Sequence, residues 1–231
     1  MLRKLVLAVV SAVLVLGVLA VPASASPPPG ALEINAIPGT RIDICSGGKE
    51  VLSNLKYGRA SRWDSIEPAT QTWSVRKAAL GKCKGKRLAR FTYTFEWGST
   101  YTIIYWRPKG VVKVKIYKND DVPKLPGESS LRMHHAAKAG SIDMWAWQKV
   151  PAVAAANPGP TIDGLKKGTS SPGFAVPERD SLVIVVPERR TSRWSAASGG
   201  KLLNAGIDYQ VVFMGSTQKN MRVRIYASFA Y

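Results

Sequence analysis

Short runs of this chain alternate apolar and polar residues with a period of two, and Gly, Pro and Asn break them. Tyr101, Ile103 and Tyr105 alternate with Thr102, Ile104 and Trp106; Tyr209, Val211 and Phe213 alternate with Gln210, Val212 and Met214. This period, with β-branched and aromatic residues, predicts strands. The same pattern places further strands at residues 32–37, 41–45, 49–55, 62–66, 72–77, 90–95 and 111–117. Arg107-Pro108-Lys109-Gly110 reads as the turn of a hairpin. The continuous apolar run 182–186 suits a strand covered on both faces. No convincing amphipathic helix appears, so the chain reads as all-β.

The pattern occurs twice. Leu32-Glu33-Ile34 leading to Ile42-Asp43-Ile44 returns as Leu131-Arg132-Met133 leading to Ile142-Asp143-Met144. Leu55-Lys56-Tyr57-Gly58 returns as Leu165-Lys166-Lys167-Gly168, and Val114-Lys115-Ile116-Tyr117 as Val223-Arg224-Ile225-Tyr226. A spacing near a hundred residues is too long for a solenoid unit and suits an independently folding domain. The expected plan is a Pro-rich lead at 26–30, a first domain at 31–118, a linker at 119–129 and a second domain at 130–231. Between Asp143 and Leu165 the second copy gains about ten residues, rich in Ala and Pro, expected as a loop.

An apolar-x-x-Gly-x-x-Tyr pattern, Phe95…Gly98…Tyr101 and Leu203…Gly206…Tyr209, resembles the tyrosine corner of immunoglobulin-like sandwiches. Its recurrence gives Tyr101 and Tyr209 a structural role. The expected fold is two tandem immunoglobulin-like antiparallel β-sandwich domains. The Ile-Asp-Ile segment, Leu-Lys-Tyr-Gly, Gly-x-x-Tyr and the final strand resemble a family of bacterial secreted and cell-surface proteins known only as a domain of unknown function. That resemblance implies a β-sandwich at the cell surface, and transfers no catalytic residue.

Residues 1–25 read as an export signal. Arg3 and Lys4 precede an apolar run, and Ala23-Ser24-Ala25 is a small-residue cleavage site, so the mature chain would begin at Ser26. The alternative is an uncleaved anchor, because the run approaches spanning length. In an exported protein Cys45 and Cys83, the only cysteines, read as a disulfide; two separate buried thiols is the alternative. Two Cys and two His are too few for a metal site, and no motif asks for a cofactor.

The formal charge is +18, and removing Arg3 and Lys4 leaves +16. Such a surface attracts polyanions, although positive charge can also serve solubility alone. In the last strand of each copy Lys113, Lys115 and Tyr117, and Arg222, Arg224 and Tyr226, fall on one face. Each is a basic ladder ending in an aromatic ring, fit for holding an anion while the ring stacks on a sugar or base. The competing reading is protection of an edge strand from aggregation. Lys82, Lys84, Lys86, Arg87 and Arg90 cluster around Cys83 as a second candidate anion-binding group, and Arg189, Arg190 and Arg193 answer them in the second copy.

Trp145 and Trp147 share a strand face and suggest a sugar platform or, more simply, core packing. Asp43 and Asp143 recur as backbone acceptors. His134-His135 has no catalytic context, and Gly-x-Ser-x-Gly, phosphate-loop and His-Glu-x-x-His motifs are missing. The leading expectation is a secreted, non-enzymatic protein binding an anionic envelope polymer. Its rivals are an adhesion protein with a protein partner and, last, a hydrolase using His134 or Asp143.

Overall fold

The computed structural model describes residues 26–63, 65–79, 83–119, 122, 124–148, 161–177, 180–187, 196–198 and 201–228. Residues 1–25, where the export signal was read, and 149–160, read as a loop, lie outside this set.

The chain is all-β. Its first half holds β1 (Gly30–Ala36), β2 (Ile42–Ser46), β3 (Lys49–Leu55), β4 (Ala60–Trp63), β5 (Thr70–Lys77), β6 (Arg87–Thr94), β7 (Thr100–Trp106) and β8 (Lys113–Asn119). Its second half holds β9 (Glu128–Ala137), β10 (Ile142–Gln148), β11 (Ile162–Leu165), β12 (Phe174–Pro177) and β13 (Asp180–Pro187). It continues through β14 (Ala196–Ala197), β15 (Lys201–Leu202), β16 (Asp208–Gly215) and β17 (Arg222–Ala227).

Strand order repeats between the halves. The sheet β4-β1-β7-β8 is matched by β12-β9-β16-β17, and β3-β2-β5-β6 by β11-β10-β13-β14, with β15 also on β13. Among the described strands every pairing is antiparallel except β1–β7 and β9–β16, which run parallel. This departs from the antiparallel expectation. Between β1 and β7 the chain builds the facing sheet and adds β4 to the other side of β1, the long crossover that parallel neighbours require.

In each half two sheets close on an apolar core. Ala31, Tyr101, Ile103 and Tyr105 of one sheet meet Ile42, Ile44, Leu55, Trp73 and Val75 of the other. Leu131, Met133, Tyr209, Val211 and Phe213 likewise meet Ile142, Met144 and Leu165. Cys45 and Cys83 are bridged. The chain-entropy argument gives a cross-link over a loop of this size about 3–4 kcal/mol.

The opposite faces of β1, β7, β9 and β16 are also covered. Leu32, Ile34, Ala36, Ile104 and Trp106 of the first half pack with Ala136, Val212 and Met214 of the second. The two halves therefore meet sheet to sheet, along a seam.

Two sequence expectations need correction. Tyr101 lies opposite Ala31 and Tyr209 opposite Leu131, so Glu33 answers to Met133 and Asn35 to His135. The sequence repeat had matched Leu32 to Leu131, one residue out of step. A one-residue slip reverses every face: Leu32 is in the seam, whereas Leu131 is in the core. The strand expected at 62–66 ends at Trp63, and Ile66 enters the core from a loop, its N–H bonding Pro29 O at 2.7 Å.

Candidate functional site

Lys113 and Lys115 on β8, and Arg222 and Arg224 on β17, are exposed. Both strands are sheet edges. Lys118 pairs with Glu96 and Lys124 with Asp208, but no described carboxylate pairs with these four cations. None of the 15 acids lies within residues 97–119 or 209–231, which carry the two ladders. The ladders are thus unneutralised along their own strands.

The rings ending the ladders are placed differently. Tyr117 and Tyr226 are half-buried and pack on the seam. The Tyr117 ring stands 4.5 Å from the His134 ring, and its hydroxyl donates to Gly168 O at 3.3 Å. Burial pushes the Tyr117 hydroxyl up to about 12 and raises Tyr226 as well. Both rings serve the contact between halves.

Lys84, Lys86, Arg87 and Arg90 are exposed near the Cys45–Cys83 bridge. Lys82, Arg189, Arg190 and Arg193 lie outside the described residues. The backbone of Trp145 and Trp147 pairs with Ile184 and Leu182 of β13, while their side chains lie outside the description.

The duplicated side chains perform matched local tasks. The Tyr101 hydroxyl accepts the Glu96 N–H at 3.0 Å, and the Tyr209 hydroxyl accepts the Asn204 N–H at 2.9 Å. Asp43 accepts the Asn54 N–H and Asp143 the Gly164 N–H, both at 2.9 Å. Asn54 and Gly164 both have positive φ, so each carboxylate caps the same kink in its half.

His134 is fully buried, with Nε2 2.7 Å from Gln210 Oε1. Burial lowers its pKa to about 4, against the Gln210 bond; nearby Arg132 lowers it further. A neutral, enclosed imidazole beside an amide is a poor general base.

One feature escaped the sequence reading. A cavity of about 570 Å³ opens beside β11, lined by residues including Ile162, Leu165, Phe174, Thr169 and Ser171, with Lys166 also on its wall. No motif marks it, because its lining comes from two strands and a loop that carry ordinary strand residues.

Residues 33–145 match the family described as Domain of unknown function (DUF4397). The span runs from β1 through β8 and into β10. Among solved structures, the chain is similar to CBMbc, a family CBM26 module of Eubacterium rectale Amy13K in complex with maltoheptaose. Identity is 7% over 87% of this chain and 97% of that one, with a TM-score of 0.27. It is also similar to a candidate cell adhesion protein of Bacteroides ovatus, at 8% identity over 89% of this chain and 97% of that one, with a TM-score of 0.22. No curated protein matches the chain.

Proposed function

We propose that the chain is an exported, non-enzymatic binding protein of the cell envelope that holds anionic polymer on its basic edge strands. In this reading residues 1–25 direct export, and 31–118 and 130–231 are tandem immunoglobulin-like domains joined at 119–129. The observation that carries it is the pair of ladders. Lys113 and Lys115, and Arg222 and Arg224, stand exposed at matched edges, and no described carboxylate is paired with them. Edge protection needs charge, but it does not need charge left unneutralised twice at equivalent places. A formal charge of +18 on the full chain adds the long-range attraction.

Retention on immobilised envelope polymer in rising salt tests it. The mature protein should elute well above physiological salt, and the variant Lys113→Gln, Lys115→Gln, Arg222→Gln, Arg224→Gln should elute earlier. Surface changes of this kind seldom disturb the fold. Elution of the native protein together with a neutral control would overturn the proposal.

A further inference from the structure

Each ladder is adjoined by a loop of the opposite half. The loop after β11 carries Lys166, Lys167 and Gly168. Tyr117 of β8 donates to Gly168 O, and Lys167 Nζ lies 6.0 Å from the Trp106 ring centre. A Cβ at Gly168 would stand 3.9 Å from Lys115 Cε. The loop therefore lies along the Lys113–Lys115 edge and brings the Lys167 ammonium there.

The converse contact repeats this arrangement. The loop after β3 carries Tyr57, Gly58 and Arg59. The Tyr57 hydroxyl donates to Asn220 O at 2.6 Å, and the Arg222 guanidinium lies 5.5 Å from the Tyr57 ring centre. Arg59 stands in the same loop, and its charge as well as that of Arg224 reaches the Tyr226 hydroxyl. Residues 51–63 and 164–177, which supply the two loops, also contain no acid. Gathering like charges at both ends of one contact, without carboxylates, costs energy unless an anion is held there.

We infer, resting on the binding role proposed above, that the polymer is held at two composite sites, each built from an edge strand of one half and a loop of the other. Lys113, Lys115 and Lys167 form one. Arg59, Arg222 and Arg224 form the other, with the Arg222 fork steadied over Tyr57. The ligand is a flexible chain of phosphodiesters recognised by its charge. Arginine forks and lysine ammonium groups both suit phosphate oxygens. Base stacking has no place here, since Tyr57, Tyr117 and Tyr226 are engaged in the seam.

The test measures affinity of the intact mature protein for poly(glycerol phosphate) across a salt series. Lys166→Gln with Lys167→Gln should weaken binding at least threefold. It should flatten the slope of log K against log salt, by roughly 0.7 for each phosphate of a single strand that is no longer neutralised. Lys167→Gln alone should give most of the effect, with the folded state retained by circular dichroism. Lys84→Gln, Lys86→Gln, Arg87→Gln, away from the seam, should weaken binding less than the loop variant does, through lost long-range charge alone.

If the ladder variant of the previous section loses binding while the loop variants keep it, the composite site is wrong and the proposed function stands. If no variant alters affinity or slope, both fail. Tighter binding of single-stranded DNA than of poly(glycerol phosphate) at equal charge would overturn recognition by charge alone.

Discussion

Asn35 and His135 hold equivalent places in the two halves and make the same pair of hydrogen bonds with different chemistry. Asn35 Oδ1 accepts the Ile37 N–H at 2.9 Å while its Nδ2 donates to Thr40 O at 2.8 Å. His135 Nδ1 accepts the Ala137 N–H at 3.3 Å, and its Nε2 lies 2.7 Å from Gly140 O, to which it donates. Each side chain clamps the turn leading out of its central strand. The clamp requires a neutral imidazole protonated on Nε2.

That requirement makes the second half acid-sensitive. Burial lowers His135 to about 4, with Lys167 acting in the same direction and the Gly140 bond opposing it. A histidine in the unfolded chain takes its proton near 6.5. The unfolded state therefore binds more protons between these values, and stability falls as pH drops from about 6.5 towards about 4. The loss is on the order of 3 kcal/mol for each such histidine, His134 included. His135→Asn should keep most of the neutral-pH stability and lose its share of the acid slope. His135→Ala should cost about 1–3 kcal/mol through unpaired backbone groups. Urea unfolding at pH 7 and pH 4.5 reads both; identical slopes in wild type and His135→Asn would reject the clamp.

Glu33 makes the opposite prediction. Its carboxyl is buried in the first core with neither oxygen in hydrogen-bond geometry, and the Tyr105 hydroxyl is likewise unpaired. Burial pushes Glu33 up to about 8; Tyr105 lies near enough to oppose the shift only in part. Stability from this group is fully present below about 4.5 and is lost as pH rises towards 8. At the equivalent places the second half has Met133 and Phe213, an apolar pair. Glu33→Met should raise stability by up to about 3 kcal/mol at pH 7 and by much less at pH 4. A gain independent of pH would show that packing, not ionisation, is responsible.

Gly58 and Gly168 separate strain from contact. Both have positive φ, at 68° and 76°. A Cβ at Gly168 would come within 3.0 Å of Trp106 Cζ2, whereas one at Gly58 would meet Met214 Sδ at 4.0 Å. Gly58→Ala should cost about 1–2 kcal/mol for left-handed backbone alone. Gly168→Ala should cost more, because the Trp106 ring must also move. Equal losses in chemical denaturation would mean that Trp106 yields without resistance.

Strand positions were legible because period two survives in β2, β5 and β7, whose core faces are cleanly apolar. The seam was present in the sequence but was not read. Ile104 and Trp106, and Val212 and Met214, are apolar on the face where a solvated sheet would be polar. Strands apolar on both faces are covered on both faces. The ladders were legible as alternation, and their exposed cations lie as the alternation implies. Their loop partners were not, since Tyr57 and Lys167 match in position but not in chemistry. Contacts between distant segments leave no local period. The misaligned first block has a simpler cause: two leucines matched as letters while facing opposite sides of their strands.

Reciprocal contacts along the seam resemble those of a two-fold dimer, in which one surface meets its own copy. Here both copies lie on one chain, joined by the short connection between β8 and β9. Such a tether sets an effective concentration on the order of millimolar, whatever the concentration of the protein. A free dimer released outside a cell would fall apart on dilution. This pair keeps its faces together at any dilution, and because each face is occupied by its counterpart, neither is left open to nucleate a filament.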